Sequence, residues 1–228
     1  MINHVNAPYV RDVYLAYLIQ GARRTAIEGY PVIEPWMVAK EPPKDIVQWD
    51  KRSTVKNKAE YAISFYCKDQ YFSSLQCNPK KYTDEVQAYQ CVVGMDASPF
   101  DNMPPVVQKS QIYDNLAITY YFGRQGIPVI PNVRIGTSCT LDSLDAYPEG
   151  TLIAIGSNGF THELFNREVF EKQFSVVVDK LWPSGVLFYG PVSAALGQIA
   201  GQKGIPIYQY DSFMKKRYNI RKAEGGKL

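Results

Sequence analysis

Histidine is nearly missing from this chain: His4 and His162 are the only two in 228 residues. Its four cysteines, Cys67, Cys77, Cys91 and Cys139, are separated by 9, 13 and 47 residues, so none forms a CxxC pair. A structural zinc site wants close ligand pairs, and two histidines add little to them. The cysteines therefore read as reduced, buried thiols of a cytosolic protein, and no metal is assigned. No apolar run reaches the roughly 18 residues of a membrane span. The amino terminus, MINHVNAPYV, lacks the basic-then-apolar order of a signal peptide. Both absences point to a soluble protein of the cytoplasm with no membrane partner. A strong excess of one charge is missing too: 25 basic and 22 acidic residues leave a formal charge of +3. That falls short of the concentrated Lys/Arg surface that non-specific duplex binding needs, so nucleic acid is allowed as a partner but not required. No serine lies in a GxSxG context, and no segment has the length and lysine of a P-loop or the pattern GxGxxG.

What is present is a chain with 46% hydrophobic and 21% charged residues, enough for one large core. A single α/β domain over residues 1–228 is expected. Residues 1–30 hold VRDVYLAYLIQGARRTAIEG, in which Val13, Tyr14, Tyr17, Leu18 and Ala22 recur at helical spacing. Short apolar runs recur near Val32, Val47, Ile63, Val93, Ile130, Ile153, Leu187 and Ile207, giving eight strand candidates. Helical stretches lie between the later ones: Pro79 toward Tyr89, Pro104 or Pro105 to about Gln125, Leu141–Ala146, Asn166–Leu181 and VSAALGQIAGQ. Strands that are apolar throughout and separated by helices predict a parallel sheet covered on both faces. A compact or incomplete (β/α) barrel is the expected architecture, with an open doubly wound sheet as the alternative. The tail, residues 212–228, is basic and is expected on the surface.

In a parallel sheet all carboxyl ends of the strands share one face, so the polar residues that follow each run converge there. That mouth collects Asp69, Asp96, Ser98, Asp101, Asn132, Arg134, Ser157, Asn158, Tyr189 and Asp211. Asp96 and Asp101 can act as an acid/base pair or hold a divalent cation, and the competing reading is an Asx and Ser turn in ASPFD. Arg134, two residues past Asn132, can take a phosphate or carboxylate with its planar fork, or form an ion pair with Asp96 or Asp101. Ser157 and Asn158 lie in GSNG, which either offers backbone amides to an anion or is a plain turn. Tyr189 in FYGP either stacks on a base or sugar or packs in the core. His162 is the one histidine near the mouth.

The runs SFYCKDQYFSSL, MDASPFDNMPPVVQ, YYFGRQGIPVIPNVRIG, LIAIGSNG and WPSGVLFYGP, in that order, resemble the domain-of-unknown-function family 4417 of bacteria, archaea, phages and other mobile elements. The likeness covers residues 45–211. The family's turn reads Ser-Pro-Asp-Phe-Ser where this chain has Ala97-Ser98-Pro99-Phe100-Asp101. The resemblance implies a phage or mobile-element origin, hence a host cytoplasm, and no assigned activity.

Three functions are compatible with these features. The first is binding of a small polar ligand of nucleotide or sugar class at the mouth, with or without acid/base catalysis by Asp96 and Asp101. The second is a nucleic-acid-binding accessory role in mobile-element replication, drawn from Lys51, Arg52, Lys56 and Lys58 and from Lys215, Lys216, Arg217, Arg221 and Lys222. The third is inactivation of a host factor by contact through some of the 17 tyrosines. No residue names a cofactor or fixes an oligomeric state.

Overall fold

The computed structural model describes residues 15–157 and 164–223. Expectations for His4, Asn158 and His162 lie outside the described residues. Among the described residues, seven short strands carry the fold. β1 (Asp45–Gln48), β2 (Tyr61–Ser64), β3 (Cys91–Val93) and β4 (Val129–Ile130) form one sheet in chain order, and β5 (Leu152–Gly156), β6 (Gly185–Tyr189) and β7 (Ile207–Tyr210) form a second. Every pairing within them is parallel. The apolar runs explain this. All residues of β3, β4, β5 and β6 are buried, and a strand with no wet face has to be covered on both sides.

The cover is helical: α1 (Ser73–Cys77), α2 (Thr83–Gln87), α3 (Pro105–Arg124), α4 (Leu164–Leu181), α5 (Ala194–Gln202) and α6 (Phe213–Ala223), with a 3-10 segment over Ser138–Ala146. The longest, α3, opens with Pro105 in its first turn, where a missing N–H costs nothing, and is closed by Gly126 at φ 82°.

The two sheets meet at Asn132. Its backbone bridges Ala154 in parallel register, the Val133 N–H donates to the Ala154 carbonyl at 2.9 Å, and the Ala154 N–H donates to the Pro131 carbonyl at 2.8 Å. On the far side, the Tyr210 hydroxyl of β7 donates to the Pro43 carbonyl at 2.7 Å, and Lys216 pairs with Asp45 of β1. Side chains of both sheets, including Ile63, Val93, Ile130, Ile153 and Leu187, belong to one continuous hydrophobic cluster.

Seven of the eight expected strands form, and the eighth does not. Near Val32 the chain makes only isolated bridges, Arg24 with Pro31 and Val38 with Val129, because Pro31 and Pro35 break any ladder. The expected amino-terminal helix is, from Leu15 onward, a single 3-10 turn over Ala16–Ile19 that ends at Gly21 with φ 81°. Its apolar residues still point inward: Leu18 and Ile19 are buried, and Tyr17 meets Tyr121 of α3 edge-on at 5.7 Å. The segment from Pro79 is a 3-10 turn to Tyr82 followed by α2 rather than one helix. The basic tail is helical as far as Ala223, as α6.

Candidate functional site

Three strand ends converge on one hydrogen-bonded cluster. The Asn132 amide, past β4, donates to Asp96 Oδ1 at 2.8 Å and to the Met95 carbonyl at 3.0 Å, both past β3. Its Oδ1 accepts from the Tyr66 hydroxyl, past β2, at 2.9 Å. Arg134 Nε lies 3.2 Å from Asp96 Oδ1, and its terminal nitrogen donates to Ser98 Oγ at 3.1 Å. Asp69 Oδ2 accepts from the Ser98 N–H at 3.3 Å.

Helix α3 holds the β3 end of this cluster in place. Past Val93 the chain leaves the sheet, and its backbone groups need other partners. Asn115 supplies two: its Oδ1 accepts from the Ala97 N–H and its Nδ2 donates to the Ala97 carbonyl, each at 2.9 Å. One turn later, Thr119 Oγ1 accepts from the Met95 N–H at 3.2 Å. Gly94 lets helix and strands approach this closely, since a Cβ there would stand 2.8 Å from Thr119 Oγ1 and 2.9 Å from the Asn132 nitrogen. Asp96 is therefore aimed at Asn132 by backbone fixed on both sides of it.

The floor of the site is aromatic. The Tyr66 ring stacks on Tyr189 of β6, with centroids 4.9 Å apart and planes 11° from parallel. It also lies against Gly156 of β5, where a Cβ would come within 2.7 Å of the ring. Tyr66 thus touches the ends of three other strands from the end of its own.

Charge in this setting is costly. Burial pushes the Asp96 carboxyl above the ordinary aspartate range; Arg134 and the Asn132 hydrogen bond pull it down, and Asp69 adds to the rise. Burial also drives the Tyr66 phenol well up and the neighbouring Cys67 thiol to about 12, so neither is an anion near neutral pH. Beside the guanidinium, a cleft runs between β4, β5 and α4, lined by Val133, Arg134, Ile155, Gly156, Gln173 and Phe174.

The family described as Domain of unknown function (DUF4417) matches residues 30–211. The chain belongs to this family. The match begins upstream of Asp45, so it takes in the 3-10 turn Pro35–Met37 ahead of β1 as well as all seven strands. Two relatives are the "Gene 1 protein" of Mycobacterium phage L5 and that of Mycobacterium phage D29, each 28% identical over 130 residues. The aligned part is 57% of this chain, 57% of the first relative and 48% of the second, so the chain spans about half the length of the curated relatives it matches. No solved structure matches.

Within this DUF4417 chain, the mouth residues read from sequence fall into two groups. Asp96, Ser98, Asn132 and Arg134 come together, and Asp69 joins them. Asp101 does not: it is exposed, its carbonyl accepts from Gln108 at 3.4 Å, and no described hydrogen bond or ion pair links its carboxylate to Asp96. The carboxylate that approaches Asp96 is Asp69, because the SPF turn carries Asp101 outward. Ser157 is fully buried and donates to the Pro191 carbonyl at 2.7 Å. Tyr189 is 1% exposed, its ring taken by Tyr66 and its hydroxyl accepting from the Phe213 N–H at 2.9 Å, which leaves no face for a base or sugar. Asp211 sits away from the cluster, 3.6 Å from Lys215. Sequence reading missed Tyr66, which looks like one more apolar strand residue. It also missed Asn115 and Thr119, whose spacing of four inside an apolar helix is a readable sign of a polar stripe turned inward.

Proposed function

We propose that this protein binds a small polar ligand of nucleotide or sugar class at the strand mouth, with Arg134 taking its anionic group and Asp96 supplying a proton. The observation that carries this reading is the Asp96–Arg134 pair, set with Asn132 and Tyr66 at converging strand ends. A buried ion pair is a poor route to stability, since replacing one with packed apolar residues is often neutral or stabilising by about 1–4 kcal/mol. Strained charge placed where parallel α/β folds keep their ligands is instead what a binding or catalytic site requires. The adjoining cleft sets the apolar side chains of Val133, Ile155 and Phe174 beside Arg134 and Gln173. An aspartate with a raised pKa keeps its proton to higher pH and so suits a general acid. In the same proposal the seven strands form an incomplete barrel, supported by the bridge at Asn132 and the return of β7 to Pro43, and the protein works in a host cytoplasm.

Thermal melting with inorganic phosphate, nucleoside monophosphates and sugar phosphates tests this. A probe at 100 times its dissociation constant stabilises by about 2.7 kcal/mol. Wild-type protein is expected to respond to at least one class, and Arg134→Gln and Ser98→Ala to lose that response. No wild-type response across the three classes, or an equal response in both variants, rejects the reading.

A further inference from the structure

The net positive charge of the chain resides in α6. This helix carries Lys215, Lys216, Arg217, Arg221 and Lys222 and no acidic residue, so the remaining chain, with 20 basic and 22 acidic residues, is net negative. None of its residues is buried, and Met214, Tyr218 and Ile220 are 72%, 47% and 56% exposed. A terminal helix with so little to bury is still anchored firmly at its start. The Phe213 N–H donates to the Tyr189 hydroxyl, and Lys216 Nζ reaches Asp45 and the Ile46 carbonyl.

The anchor brings two distant basic segments onto one surface. Lys51, from the 3-10 turn Trp49–Thr54, sits 5.3 Å from the centre of the Phe213 ring, and Arg217 sits 5.9 Å from it. Tyr71, 47% exposed, lies within electrostatic range of Lys51. Arg52 is turned to another use, stacked on Trp49 at 4.1 Å and paired with Glu85. The surface is thus a row of cations, Arg217, Arg221 and Lys222, with the exposed ring of Tyr218 among them and Lys51, which also pairs with Asp50 at 2.8 Å, at its edge.

We propose that α6 and the Lys51 turn form a binding surface for single-stranded nucleic acid. Charge complementarity selects a polyanion. Exposed aromatic rings beside the cations favour unpaired bases, which stack on any such ring, over a duplex whose bases are already stacked. The surface is joined to the mouth through the Phe213–Tyr189 hydrogen bond, but the proposal does not rest on ligand binding at Arg134.

The test is fluorescence anisotropy of a labelled oligothymidylate with the full chain at several salt concentrations. Binding is expected to weaken steeply with salt. Replacing Arg217, Arg221 and Lys222 together by Gln should weaken it more than tenfold at low salt and flatten the logarithmic salt slope by about 2, at about 0.7 per lost contact on a single strand. Tyr218→Ala should weaken binding about tenfold with the salt slope unchanged; this single exposed change also serves if the triple variant misfolds. Absent or variant-insensitive oligothymidylate binding overturns the proposal. Equal or tighter binding of a duplex, or binding of phosphatidylserine vesicles without oligothymidylate, overturns it as well.

Discussion

Asp96 is the residue on which the chemistry of the mouth turns, and its environment makes a pH-dependent prediction. Burial raises its carboxyl above the ordinary 3.8, so the folded chain keeps a proton that the unfolded chain has already released. As pH rises from 3.8 the unfolded state ionises first, so this group's contribution is most favourable below 3.8 and is lost as pH climbs to the raised value. Asp96→Asn removes that dependence. Urea midpoints measured across acidic pH should show the variant gaining on wild type above 3.8, by about 1.4 kcal/mol for each unit of upward shift. A constant difference across that range would show that burial does not raise the carboxyl. Tyr66→Phe isolates a second contact. It keeps the stack on Tyr189 but leaves buried Asn132 Oδ1 without its donor, a loss of about 1–3 kcal/mol in urea unfolding. At this scale the sequence was informative where position alone decides. Asp96, Asn132 and Arg134 follow apolar runs directly, so a parallel sheet had to bring them together. Asp101 lies five residues past Asp96, beyond a Pro-containing turn whose exit direction cannot be read from residue order.

Among the elements, α3 matters most to the site, and its part follows from two polar residues that its apolar pattern does not explain. Asn115 substitutes for a sheet partner by bonding both backbone groups of Ala97. Asn115→Ala leaves a buried N–H and carbonyl with nothing in their place and should cost about 1–3 kcal/mol, with Asp96 losing its fixed aim. Gly94→Ala attacks the same joint from the strand side, driving a methyl against Thr119 and the Asn132 backbone; overpacking of this kind costs about 1–3 kcal/mol. Both variants should lower the melting temperature and abolish any phosphate response at the mouth, whereas a change of equal thermal cost far from the joint should leave the response intact. The existence of α3, α4, α5 and seven strands was legible because proline, glycine and uniform apolar runs mark their limits. The stretch before β1 was not legible. Its apolar spacing fits a helix, but Gly21 permits a left-handed turn and packing of Leu18 and Ile19 on α3 overrides local preference.

For the whole molecule, the question is whether two sheets of four and three strands behave as one body. Among the described residues, a short bridge at Asn132 alone joins them through the backbone, and a molecule held by nothing more would unfold in halves. Side chains supply the rest: Tyr66 of the first sheet lies against Gly156 and Tyr189 of the second, and Tyr210 returns to Pro43 ahead of β1. These contacts tie the two sheets together at the mouth and at the far edge, and side chains of both belong to one apolar cluster. We therefore expect a single cooperative unit. Trp49, buried beside β1, reports on the first sheet by fluorescence once the exposed Trp36 and Trp182 are replaced by Phe, and amide protection in β6 reports on the second. In urea the two signals should be lost at the same midpoint, the mark of two-state unfolding. Tyr210→Phe should move both midpoints down together by about 1 kcal/mol, the typical worth of one hydrogen bond. Loss of β6 protection while Trp49 stays buried would instead divide the chain into two units and remove the basis for the proposed incomplete barrel.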